Sequence, residues 1–177
     1  MTATKILSRL VVVPATGDRR RGFILAGGRL ASCALGRAGT TRGKHEGDGA
    51  TPVGTFGLVG VLYRSDRGTR PVTRLPVEAI RNDGGWCDDP ADRAYNRPVR
   101  LPYPGRHERL WRDDRLYDVV IVIDYNLSPP RPDAGSAIFL HIAHEDFAPT
   151  EGCVAVSPEA MRRLLPHLGP RTMIEIR

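Results

Sequence analysis

The run Val119-Val120-Ile121-Val122-Ile123, set between Asp118 and Asp124, restricts the fold more than any other stretch of the chain. Five consecutive β-branched side chains favour a strand, because the branch at Cβ crowds a helical turn but packs well on a pleated surface. A half-buried strand alternates apolar with polar residues, and this one does not. Both of its faces must be covered. A chain carrying such a strand needs a sheet with packing on both sides.

Other stretches extend the β pattern. Residues 9–14 read as a first strand, and 22–26 with 29–35 as a hairpin turning at Gly27-Gly28, a pair suited to the primed turns that hairpins prefer. Further strands are expected at 56–63, 137–143, 153–156 and 172–176. One main helix follows Ser157, a good N-cap, with Pro158 at its first position. Met161, Leu164, Leu165 and Leu168 give it one apolar face, and Gly169-Pro170 ends it. With 19 glycines and 15 prolines in 177 residues, turns and short strands are favoured over long helices. The expectation is a mostly β, single-domain fold over residues 9–177, a sandwich or partly closed barrel with one main C-terminal helix.

Two segments stand apart. Residues 36–52 form a long loop with five glycines and no apolar periodicity. It matches neither Gly-x-Gly-x-x-Gly nor the P-loop pattern, and a strand follows it where a helix is required, which excludes that kind of nucleotide site. Residues 64–115 are irregular and proline-rich and hold Trp86, Tyr95, Tyr103 and Trp111. They read as an insertion that wraps the core and walls a cleft, with His107 at the surface between Arg106 and Glu108.

The net charge of +6 is spread over arginines that alternate with aspartates, so no nucleic-acid partner is expected. No apolar run approaches membrane-spanning length. Cys33, Cys87 and Cys153 are odd in number and lack a CxxC spacing, against a disulfide framework; a Cys33–Cys87 bond stays open, with Cys33 otherwise a small buried hydrophobe. Ser8 and Arg9 interrupt the only candidate leader, and Met1-Thr2-Ala3 reads as a natural start. A cytoplasmic location is expected, or a periplasmic or cell-wall one if a leader is missing.

Chemistry concentrates in Ala137-Ile138-Phe139-Leu140-His141 and in Thr150-Glu151-Gly152-Cys153-Val154. A thiol attacks as the thiolate and needs a base, which His141 on a neighbouring strand would supply. The backbone N–H groups of Gly152 and Cys153 would stabilise an oxyanion. Spacing alone leaves open that both side chains are core residues. A zinc site built from His141, His144 and Cys153 is disfavoured, because side chains three apart on a strand point to opposite faces. No metal or other cofactor is expected.

Thr51-Pro52-Val53-Gly54-Thr55-Phe56 resembles the TPxGxF motif of the L,D-transpeptidase (YkuD) catalytic domain. Phe139-Leu140-His141 with Thr150-Glu151-Gly152-Cys153 resembles that family's active-site signature, a first His and then Ser/Thr-His-Gly-Cys. The resemblance implies Cys153 as nucleophile, His141 as base, and the backbone carbonyl of Ile142 as the group orienting the base. It implies peptidoglycan stem peptides or muropeptides as partners, with a terminal D-amino acid released through a thioester. Hydrolytic trimming by an L,D-carboxypeptidase and a non-catalytic peptidoglycan-binding module are the alternatives. Two departures stand out. Glu151 replaces the usual histidine; pointing inward it would raise the thiol pKa, whereas it could also bind a substrate ammonium or orient the imidazole. Ala155 stands where Arg or Asn is usual, so a substrate carboxylate would be bound elsewhere, with Arg37, Arg42 and Lys44 as candidates beside Thr150.

Overall fold

The computed structural model describes residues 4–177; Met1-Thr2-Ala3 lies outside them. In chain order the first strands are β1 (Arg9–Pro14), β2 (Arg21–Ala26), β3 (Arg29–Ala34), the short β4 (Thr40–Thr41) and β5 (Thr51–Pro52), and the long β6 (Gly54–Tyr63). The insertion holds β7 (Val77–Ala79), β8 (Gly84–Cys87), β9 (Arg97–Arg100) and β10 (His107–Arg109). The chain closes with β11 (Val119–Ile123), β12 (Phe139–Ile142), β13 (Val154–Val156), helix α1 (Pro158–Leu164) and β14 (Met173–Ile176).

Eight strands pair in the order β11-β12-β13-β3-β2-β1-β14-β6, and β6 pairs back onto β11. The sheet therefore closes into a barrel, which removes its edges. The mostly β expectation holds, and closure settles it as a barrel and not a sandwich. The β2–β3 hairpin turns at Gly27 (φ 57°) and Gly28 (φ 79°), the two positive φ values that a type I′ turn demands.

The uninterrupted apolar run of β11 has a direct cause. Ile121 and Ile123 face the barrel interior with Leu10, Val12, Leu140, Val154 and Ile174. Val120 and Val122 face outward into a second cluster with Trp86, Leu110, Tyr117 and Phe139. The insertion covers that outer face. It is more ordered than the sequence suggests, since β8, β9 and β10 form a sheet in the order β10-β8-β9. Pro98 is tolerated because β9 is an edge strand. Trp86 and Tyr117 both meet the Phe139 ring edge-on, with centroids 5.2 and 6.0 Å away. Arg64 anchors the insertion at its base. Its buried guanidinium lies 3.7 Å from the centre of the Trp111 ring and is fixed by Asp66.

Ser157 caps α1 as expected, its Oγ accepting from the Ala160 N–H at 3.1 Å. The helix is shorter than its apolar pattern. It ends at Leu164 and continues as a 3₁₀ turn over Leu165–His167. Pro166 lacks the N–H that would extend the α ladder. The apolar face survives the change, with Met161, Leu164, Leu165 and Leu168 all buried.

Candidate active site

β12 and β13 run parallel, with His141 opposite Ala155. Side chains two apart on a strand share a face. Cys153, two residues before Ala155, and Phe139, two before His141, therefore lie on the same outer face as the imidazole. Both strands are short and buried, so the two groups have little freedom. They open into one cavity of about 420 Å³, whose wall includes Lys44 and Glu46 of the glycine-rich loop and Asp88, Arg106, Glu108 and Arg112 of the insertion.

His141 is 5% exposed. Its Nδ1 is 2.8 Å from the Ile142 carbonyl, which can only accept; Nδ1 therefore carries the proton, and the neutral ring presents its lone pair at Nε2. Tyr117 packs against the imidazole edge-on at 5.2 Å. Burial lowers the His141 pKa to about 4, against the pull of the Ile142 and Leu116 carbonyls. Cys153 is 8% exposed, and its thiol donates to the Ala137 carbonyl at 3.2 Å and accepts from the Phe139 N–H at 3.4 Å. Burial first, and the nearby Glu108 carboxylate second, push the thiol up to about 12. At neutral pH the site holds a neutral thiol and a neutral imidazole.

The loop before Cys153 is set by the two threonines of the sequence motifs. Thr150 Oγ1 donates to the Cys153 carbonyl at 2.7 Å, and the buried Thr51 Oγ1 approaches the same oxygen at 3.4 Å. Gly152 has φ 136°, and a Cβ there would meet the Ala50 carbonyl oxygen at 2.9 Å, so the position requires glycine. Its N–H is engaged within the loop. It donates to Thr150 Oγ1 at 3.1 Å, which corrects the expectation of two oxyanion donors. The Cys153 N–H, just ahead of β13, is the one left without an acceptor among the described residues.

The geometry also reassigns the charged candidates. Glu151 points outward, its side chain 78% exposed, and is paired with Arg37 at 2.8 Å. It neither orients the imidazole nor acts on the thiol, and the pair sits at the rim. Lys44 is no solvated charge: its side chain is 5% exposed and its ammonium is bound to Asp48 at 2.5 Å. Arg42 is exposed and lies outside the cavity wall. His144 stands on the rim, and no group of three or more His, Cys, Asp or Glu side chains among the described residues could hold a metal. All three cysteines are free, so Cys33 and Cys87 form no disulfide.

A model of the YkuD family, the L,D-transpeptidase catalytic domain, matches residues 8–176. The chain belongs to the YkuD family. Membership relates it to peptidoglycan peptides at the level of the family. No curated protein and no solved structure matches it. None of the helices among the described residues is long and apolar enough to cross a membrane.

The insertion gives this YkuD domain site residues that the sequence reading missed. Asn96, 1% exposed at φ 56°, is a hub. Its Oδ1 accepts from Trp86 Nε1 at 2.9 Å and from the Ala137 N–H at 3.0 Å. Its Nδ2 donates to the carbonyls of Tyr125 and Asn126 at 3.1 and 2.7 Å. Asn96 thus fixes Ala137, the residue whose carbonyl accepts the hydrogen bond of the thiol. Replacing it by alanine strands several buried partners, and a destabilisation of about 3 kcal/mol or more is expected in urea unfolding. Glu108, Arg112 and Tyr117 also line the cavity. Their signal was weak because mixed charge in a proline-rich segment reads as surface. Glu108 and its neighbour His107 are in fact half-buried, the latter with Nδ1 2.8 Å from the Gly105 carbonyl.

Proposed function

We propose that this protein is a cysteine acyltransferase acting on peptidoglycan stem peptides, with Cys153 as nucleophile and His141 as base. The observation that carries the reading is the shared face of β12 and β13. It sets a thiol and an imidazole with its lone pair at Nε2 on one cavity, with Nδ1 tied to Ile142.

The chemistry follows from the two protonation states. With the thiol near 12 and the imidazole near 4, a resting thiolate–imidazolium pair is disfavoured. The thiol rests on the Ala137 carbonyl, so substrate entry turns it toward His141, and the proton moves from Sγ to Nε2 as Sγ bonds to the substrate carbonyl carbon. The Cys153 N–H meets the developing oxyanion. Collapse breaks the C–N bond, and the imidazolium returns its proton to the departing amine of the D-residue. An amine or water then attacks the thioester, giving up its proton to His141, and the thiol is restored.

Incubation with a tetrapeptide muropeptide, with and without an acceptor amine, tests the proposal. Release of the terminal D-amino acid together with a cross-linked product is expected. Release with no cross-link in the presence of the amine would assign an L,D-carboxypeptidase instead. Binding without release, with no covalent adduct on Cys153 by intact mass after exposure to a carbapenem, would assign a binding module.

A further inference from the structure

Facing Cys153 across the cavity is a carboxylate that the acyl-transfer steps do not use. Glu108 is the middle residue of β10 and pairs with Trp86 of β8. Its Oε1 accepts from the Tyr117 hydroxyl at 2.5 Å. Arg112 stands 3.9 Å from Oε1 but places its side-chain hydrogen bonds on Asp114, the shortest at 2.6 Å. Among the described residues no donor meets Oε2 and no buried side-chain oxygen lacks a partner; Oε2 is therefore accessible, and Glu108 lines the cavity.

The other carboxylates on the wall also hold a partner on one oxygen: Glu46 Oε2 takes the Tyr95 and Ser136 hydroxyls at 2.5 and 2.8 Å, Asp88 Oδ1 takes Arg106 at 3.0 Å, and Glu151 Oε2 takes Arg37 at 2.8 Å. Glu108 differs from them in being the carboxylate that acts on the thiol. Burial raises the Glu108 carboxyl above its ordinary value, the Tyr117 hydroxyl and Arg112 hold it down, and Asp88 and Asp114 push it up again. The charged groups acting on the thiol are Glu108, which opposes the thiolate, and Lys44, which favours it but is held by Asp48. A carboxylate on the same cavity as a thiol that must become negative is a local conflict, and a cation paired with that carboxylate would also hold it in its ionised form. Such conflicts mark functional sites, where a ligand completes the electrostatics.

We propose, on the acyl-transfer reading above, that Glu108 is a specificity-determining residue that pairs with a primary ammonium on the acyl-donor side chain. With the cation in place the carboxylate no longer opposes Cys153, so the nucleophile is activated by a substrate of the right charge. One open oxygen suits a compact ammonium, whereas a guanidinium is matched by two.

The test uses acyl-donor peptides alike except at the residue whose carbonyl is attacked, which carries lysine, Nε-acetyllysine or norleucine. The wild-type kcat/KM is expected to favour lysine at least ten-fold, and Glu108→Gln to erase the preference. Iodoacetamide alkylation of Cys153 gives a readout independent of turnover. Glu108→Gln should be alkylated several-fold faster at pH 8, with the alkylation profile moved to lower pH. Arg112→Gln, which exposes Glu108 further, should be alkylated more slowly and carries the test if Glu108→Gln fails to fold. Equal turnover of the three peptides by the wild type overturns the specificity and leaves acyl transfer standing. Unchanged alkylation in a folded Glu108→Gln, or in Arg112→Gln where that variant carries the test, overturns the electrostatic coupling. No turnover of any peptide, with alkylation still shifted, overturns acyl transfer and the specificity that rests on it.

Discussion

Cys153→Ala is expected to reduce release of the terminal D-amino acid by at least about 10⁴-fold, because no other group on the cavity wall can form the thioester. The fold should survive. The thiol makes one weak hydrogen bond to the Ala137 carbonyl and receives one from Phe139, and an alanine fits the same backbone. The Phe139 N–H loses only a long contact of 3.4 Å. Cooperative urea unfolding with a midpoint near the wild type, beside abolished turnover, is the expected pair of results. Undiminished turnover would remove Cys153 from the mechanism, and an unfolded variant would show that the side chain is structural.

His141→Gln is expected to lower kcat by about 10²–10⁴-fold, the usual contribution of a positioned base. It should also change how stability depends on pH, an effect that does not need a substrate. The His141 pKa falls from 6.5 in the unfolded chain to about 4 in the fold. Above pH 6.5 the ring is neutral in both states and contributes no pH dependence. As pH falls from 6.5 to about 4, the unfolded chain takes up a proton that the native protein refuses, so stability drops. The shift corresponds to roughly 3 kcal/mol lost across that window. Glutamine cannot titrate, and the variant should lack this part of the acid-induced loss in unfolding experiments at pH 4 and pH 7. The same displacement sets the acid limb of activity: kcat/KM should fall only as pH approaches 4, well below the usual imidazole range. An acid limb near 6.5 would show that substrate entry rehydrates the ring, or that a different group is titrating.

The insertion contributes to the site of this YkuD domain as well as covering it. Glu151, next to the glycine before Cys153, is turned to Arg37 at the rim. The electrostatic surroundings of the thiol come instead from Glu108 and Lys44, which lie 45 residues before it and 109 residues before it in the numbering. The residue that fixes the thiol's acceptor, Asn96, comes from the same insertion. The covering segment is thus part of the site and not only a wall around it.

What the sequence by itself determined were features that depend on near neighbours along the chain. The run Val119–Ile123 required two covered faces, the Gly27-Gly28 pair required a primed turn, and Ser157-Pro158 required a helix start; each follows from the conformational limits of those residues. The two motifs around Thr51 and Cys153 were legible for the same reason, since each is contiguous. Their connection was not: Thr51 and Thr150 converge on the Cys153 carbonyl only once β5 and β13 are in place. Tertiary structure alone decided where each charge ended up. Glu151 is two residues from Cys153 yet faces solvent, where it pairs with Arg37 of the glycine-rich loop. Glu108 is remote in sequence yet faces the thiol, because β10 is paired onto β8 over the outer surface of the barrel. Hydrogen bonds, burial and Coulomb forces act through space, so the electrostatics of Cys153 and His141 could be read only after the insertion had been folded over them.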